Sequence, residues 1–260
     1  MVKLVYCLRR LPHLSREEFQ TYWRENHGPL VRRTSGPVNV HRYVQIHTID
    51  FQRPADARQA IERPEPFDGV AELWYHSIGD LIPEDPSPEH RQSIAAHVED
   101  EQRFIDLPRS PLWFAEEHPF IEEIPEAPAT DGQPDSRVKL VYCLRRLPHL
   151  SREEFQTYWR ENHGPLVQKQ REPLGIRRYV QVHTRYDEVN EALQAGQDRP
   201  EAFDGVAELW WNSVEDYAPE NPGPERQEAG RALFEDEQKF IDLSRSPVWL
   251  GREYVFIDNR

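Results

Sequence analysis

The chain has 260 residues, 37% hydrophobic and 11% aromatic, with seven tryptophans, enough apolar material for one large or two small packed domains. Its formal net charge of −14 argues against nucleic acid, whose phosphates need basic surface, and against anionic membranes. No apolar run approaches the roughly 18 residues of a membrane span, and MVKLVYCLRRLPHL lacks a signal peptide's long apolar centre, so the expected address is the cytoplasm.

The first predicted element is the strand VKLVYCLR, which has no clean polar face and suits a strand covered on both sides. Its Cys7 and the equivalent Cys143 read as small core residues, because no metal-ligand spacing occurs. Ser15 followed by Glu18 is a capping box that opens a helix through REEFQTYWREN, and Gly28 and Pro29 are expected to stop it. His27 then lies in the last turn, four residues after Trp23, where the negative end of the helix dipole favours its protonated form. A histidine so placed suits acid–base work, the plainer reading being a cap on the last carbonyls.

RYVQIHT (Arg42–Thr48) alternates and reads as a strand; FDGVAELWY (Phe67–Tyr75) is another, led by an Asp-Gly turn signal. A helical pattern follows from Pro88 to Asp106, and a strand from Pro111 to Glu117 closes the unit. The order β-α-β-β-α-β is the α+β, ferredoxin-like split βαβ arrangement, with helices on one face of its sheet.

The whole pattern then repeats. Val2–Val31 recurs unchanged as Val138–Val167, RYVQIHT as RYVQVHT, FDGVAELW without change, and EDEQRFIDL as EDEQKFIDL. IPEAPATDGQPDSR between the copies reads as a linker, giving units 1–123 and 138–260 joined by 124–137. Two tandem units can close their bare sheet faces on each other, so the expected architecture is an intramolecular barrel made from one chain.

Strand alternation divides the side chains between two faces. Val44 and Ile46 share one side of their strand, with Tyr43, Gln45 and His47 on the other. Gly69, Ala71 and Leu73 suit packing under helices, with Asp68, Val70, Glu72 and Trp74 opposite. If the apolar sets meet the helices, the face between the two sheets carries Tyr43, Gln45, His47, Asp68, Glu72 and Trp74, and in the copy Tyr179, Gln181, His183, Asp204, Glu208 and Trp210. These are the candidate substrate-binding residues of a cavity inside the barrel, aromatic walls with a few convergent polar groups. The plainer readings are hydrogen-bonded interior polars for Tyr43 and His47, and a turn-holding role for Asp68.

On the residues LVYCLRR, FQTYWRENHGPL and DGVAELW, present in both units, the chain resembles the EthD family of dimeric α+β-barrel proteins. Its members usually have one unit and pair as homodimers, so the resemblance implies a covalently fused pair. It also implies His27 and His163 as catalytic positions, no metal or organic cofactor, and a small, often aromatic substrate undergoing isomerisation, decarboxylation or dehydration. Two alternatives stand beside that cofactor-independent acid–base enzyme: a cofactor-free monooxygenase and a small-ligand-binding accessory protein. A haem reading through His47 and Glu72 is weaker. The halves also differ, Tyr75, His76 and Phe114 becoming Trp211, Asn212 and Leu250, which raises the expectation of unequal sites.

Overall fold

A computed structural model describes residues 1–51, 61–127, 133–196 and 198–259, so the expected linker lies partly outside the described residues. The first unit runs β1 (Val2–Leu8), α1 (Arg16–Tyr22), α2 (Gly28–Thr34), β2 (Arg42–Thr48), β3 (Gly69–Tyr75), α3 (Ile78–Leu81), α4 (Pro88–Glu101) and β4 (Leu112–Glu122). The second runs β5 (Val138–Leu144), α5 (Arg152–Tyr158), α6 (Gly164–Lys169), α7 (Arg171–Leu174), β6 (Arg178–Thr184), α8 (Asp187–Ala195), β7 (Gly205–Trp211), α9 (Val214–Tyr217), α10 (Pro224–Glu237) and β8 (Val248–Asp258). The eight strands form one closed barrel in the order β1-β3-β2-β8-β5-β7-β6-β4, with β4 returning to β1. All the pairings are antiparallel.

Closure depends on the last strand of each unit. β4 and β8 run past the expected end at Glu117 and cross to the other unit, β4 pairing with β6 and β8 with β2. Each of these long strands satisfies an edge that one unit alone would leave open. Among the described residues, no helix is long and apolar enough to cross a membrane.

Two kinds of core result. Inside the barrel, Val5, Cys7, Val44, Ile46, Val70 and Trp113 meet their copies Val141, Cys143, Val180, Val182, Val206 and Trp249, all buried. The cysteine sulfurs face each other at 3.7 Å, small core residues as expected. Outside the barrel, each unit packs Phe19, Trp23 and Phe104, or Phe155, Trp159 and Phe240, between its helices and the strand residues of the other parity. Burying each such aromatic contributes on the order of 2–3 kcal/mol.

The connections between β2 and β3 and between β6 and β7 are exchanged. Ile49, Phe51 and Ile61 pack against the second unit's outer core. Tyr186, Val189 and Leu193 pack against the first unit's. The Asn190 side chain accepts from the Phe114 backbone N–H at 2.7 Å, which fixes α8 on β4.

Candidate functional site

The capping box at Ser15 forms as expected, with Glu18 completing it. The helix that it opens does not stop at Gly28. It continues through a π-helical turn, Trp23–His27, directly into α2, and the copy does the same at Trp159–His163. Pro29 gives a physical reason: its ring would press on the carbonyl four residues back in an α-helix, and it has no N–H to donate. The wider turn relieves that conflict, the Gly28 N–H reaching back five residues to the Trp23 carbonyl. Gly28 is right-handed at φ −56°, so it is not a left-handed cap. Its missing side chain instead admits Phe256, whose ring would lie 2.4 Å from a Cβ there. His27 is therefore mid-helix, and the expected dipole effect of a terminal turn does not operate on it.

The π turn puts Trp23 and His27 on the buried face together. His27 Nδ1 lies 2.8 Å from Asp100 Oδ2 on α4, and His163 Nδ1 lies 2.8 Å from Asp236 Oδ2 on α10. Asp236 also accepts from Tyr158 Oη at 2.8 Å and Lys239 Nζ at 3.0 Å. Burial would raise its carboxyl pKa, but the hydrogen bonds from His163, Tyr158 and Lys239 outweigh that and hold it well below the usual carboxylate range. Asp100 is lowered in the same way by His27 and Tyr22. A carboxylate on Nδ1 fixes the tautomer with its proton there, leaving Nε2 as the reactive nitrogen.

In the second unit His163 belongs to the wall of a cavity of about 610 Å³ between the barrel's outer surface and the helices. Tyr142, Tyr179, Trp211, Leu233, Phe234 and Glu237 share the lining with His163. Its volume falls in the usual range for small-molecule sites, about 300–1,000 Å³. A glycine and a loop shape it. A Cβ at Gly230 would meet nothing within 4 Å among the described residues, whereas the equivalent Ile94 in the first unit packs on that unit's core. Gly164 lets Phe120 of the crossing strand approach, as Gly28 does Phe256. Arg63, from the first unit's connection, reaches into the second unit's cavity and donates to Tyr142 Oη at 2.9 Å.

The expected face of β2 is reversed. Val44 and Ile46 point into the barrel, and Tyr43, Gln45 and His47 point to the helices. Trp23 Nε1 donates to Tyr43 Oη at 3.1 Å, and Gln45 Nε2 donates to the Trp23 carbonyl at 2.9 Å. His47 stacks on Trp23 with ring centroids 4.7 Å apart, and His183 stacks likewise on Trp159. Burial pushes His47 down to about 3 and His183 down to about 2, so both rings are neutral. Large polar side chains fit here because the tryptophan and its carbonyl satisfy them, while the crowded lumen takes the smaller β-branched ones. Tyr179, Gln181 and His183 repeat the arrangement, and of these Tyr179 lines the cavity.

The face of β3 is as expected, but what it faces is not a cavity. Glu72, Trp74, Glu208 and Trp210 point into a lumen filled by Lys3 and Lys139 and leave a void of about 10 Å³. Lys139 Nζ sits 2.8 Å from Glu72, and Lys3 Nζ 2.7 Å from Glu208. Burial, then repulsion from Glu72, pushes the Glu208 carboxyl up to about 8, while Lys139 and Lys3 hold Glu72 ionised against burial. Asp68 pairs with Arg10 and Arg16 at its turn, and Asp204 with Arg146 and Arg152, so neither reaches the cavity. His47 and Glu72, the pair considered for a haem or metal, lie on opposite faces of the barrel wall.

Several residues of the site are not among the sequence-based candidates. Asp100 and Asp236 had a signal, the EDEQ block kept in both copies, at a helical position that can meet His27 or His163. Arg63 had one too, the RPE-x-FDGV block that repeats it as Arg199, but which unit it serves depends on how the units cross; Gly230 had none. Of the three differences noted between halves, Trp211 borders the cavity, while Asn212 and Leu250 are not part of the described lining.

Comparison with known proteins agrees with this geometry. The anthrone oxidase-like protein of known structure is 12% identical, aligning over 100% of this chain and 94% of its own with a TM-score of 0.58. A protein named as a monooxygenase, from Fusobacterium nucleatum subsp. nucleatum, is 8% identical over 98% of this chain and 92% of its own, with a TM-score of 0.51. At such identities these likenesses concern the fold. The profile of the EthD domain matches residues 11–108 and again 147–244, well over half of the chain. The chain thus belongs to the EthD domain family, as a tandem pair of EthD units closed into one α+β barrel.

Proposed function

We propose that the chain is a cofactor-independent acid–base enzyme, of lyase or isomerase type, acting on a small hydrophobic or aromatic substrate in the second unit's cavity. The observation that carries this reading is the His163–Asp236 pair, 2.8 Å apart, with His163 in the wall of an apolar cavity of about 610 Å³. Asp236 holds the proton on Nδ1, so Nε2 can take a proton from a carbon or hydroxyl of the substrate. The resulting imidazolium is stabilised by the carboxylate beside it and can return the proton at a second position, completing an isomerisation or dehydration. The phenol of Tyr142, oriented by Arg63, stands in the same lining to hydrogen-bond an oxygen on which charge develops.

His27–Asp100 repeats the pair, but the first unit sets Ile94 and His97 where the second has Gly230 and Leu233. His97 is itself held by Thr34 at 2.6 Å. The second unit is therefore the working half in this reading. Screening lactones, hydroxylated aromatics and carboxylated aromatics against the wild-type chain and His163→Ala tests it. Turnover that disappears in the variant supports the proposal, and turnover that persists in full refutes it. Oxygen uptake in step with turnover of a phenol would instead support a cofactor-free monooxygenase; the Fusobacterium protein is named as a monooxygenase.

A further inference from the structure

Arg63 is held by one of its terminal nitrogens alone. Nη1 donates to Tyr142 Oη at 2.9 Å and lies 3.0 Å from the Ser246 carbonyl and 3.2 Å from that of Leu243. The guanidinium carbon sits 5.2 Å from the centre of the Tyr142 ring. Nε is buried without a hydrogen-bond partner, and Nη2 has none among the described residues. No carboxylate among the described residues pairs with Arg63. Nε–H and Nη2–H are the two parallel donors on one edge of a guanidinium, the edge that matches the two oxygens of a carboxylate.

A cation anchored on neutral groups, with its bidentate edge unclaimed, is an incomplete pairing in a protein of net charge −14. Two other arginines border the cavity: Arg226 is occupied by the carbonyls of Pro173, Asp216 and Tyr217, and Arg231 is exposed at the rim. We propose that Arg63 is a specificity residue supplied by the first unit to the second unit's cavity, and that the ligand is an aromatic carboxylate whose two oxygens pair with its Nε–Nη2 edge. The apolar wall takes the ring, and the crossing loop takes the acid group. This inference rests on the reading of that cavity as the working cleft. It also gives the fusion a purpose beyond barrel closure, because the second unit's cavity is incomplete without the first unit's loop.

The test is calorimetric titration of the full chain with naphthoate and with naphthamide, its neutral isostere. Wild type is expected to bind naphthoate at least about tenfold more tightly. Arg63→Gln is expected to reduce the two affinities to near equality, with the loss falling mainly on naphthoate. Equal binding of both probes by wild type, no binding of either, or a preference that survives in Arg63→Gln overturns the inference. The wild-type comparison needs no variant, so a poorly folded Arg63→Gln leaves the proposal falsifiable. A carboxylate preference together with full turnover in His163→Ala would sink the acid–base reading alone; no preference in the wild-type chain, with His163-dependent turnover intact, would sink this inference alone.

Discussion

Gly230 in the second unit occupies the place that Ile94 fills in the first, and this one exchange accompanies an open cavity over one half of the barrel. A glycine inside α10 costs about 1 kcal/mol relative to alanine, and among the described residues no atom lies within 4 Å of where its Cβ would be. Gly230→Ala is therefore expected to stabilise the chain by up to about 1 kcal/mol in urea unfolding. Gly230→Ile is expected to lower ligand affinity at least about tenfold by filling the cavity. Unchanged affinity in Gly230→Ile would show that ligands bind elsewhere.

Asp236 makes a separate prediction through pH. Its folded-state pKa lies below the ordinary value, so the stability it contributes is complete above the unfolded pKa, about 4, and is lost as pH falls below it. Wild type should lose melting temperature steeply below about pH 4, and Asp236→Asn should lose less over the same window. In activity, Asp236→Asn is expected to cost about 10²–10⁴-fold in kcat, because the amide no longer enforces the Nδ1–H tautomer.

His47 and His183 act in the same direction over a higher window. Their folded pKa values are depressed to about 3 and about 2, so both are neutral in the fold and take up protons when it unfolds below about pH 6.5. Each should make stability fall by as much as about 1.4 kcal/mol per pH unit as pH drops from about 6.5 toward 3. Denaturant unfolding at pH 7 and pH 5 should show a smaller difference in a His47→Phe/His183→Phe chain than in wild type. An identical difference would mean that these rings are protonated in the fold.

The lysines in the lumen are structural in this account. Lys139→Met would leave Glu253 without its lysine and Glu72 with Lys3 alone at 3.2 Å, and should destabilise by about 3–5 kcal/mol. Adding Glu72→Gln should restore part of that loss, since it removes the stranded charge. A Lys139→Met chain with wild-type unfolding free energy would contradict the buried network.

Much of this was legible in the residues alone. The duplication, the strand and helix order, the capping box at Ser15 and the inward face of Glu72 and Trp74 all follow from period and spacing. The direction of β2 does not. Alternation separates Val44 and Ile46 from Tyr43, Gln45 and His47, but two covered faces make either assignment possible. Trp23, which accepts and donates to the polar set, decides it from another element. The passage of the helix through His27-Gly28-Pro29 was hidden for a related reason. Gly-Pro ordinarily marks an end, and the close approach of Phe256 from a crossing strand cannot be seen in local sequence. The cavity lies outside the barrel for the sum of these reasons, since the lumen is filled by valines, tryptophans and paired charges.

The most direct test is to compare His163→Ala with His27→Ala, each as a single change, on whichever substrate the wild-type chain turns over. The account predicts that His163→Ala loses turnover by about 10²-fold or more, and that His27→Ala keeps most of it. Loss in His27→Ala with full activity in His163→Ala would place the chemistry in the other half and contradict the account.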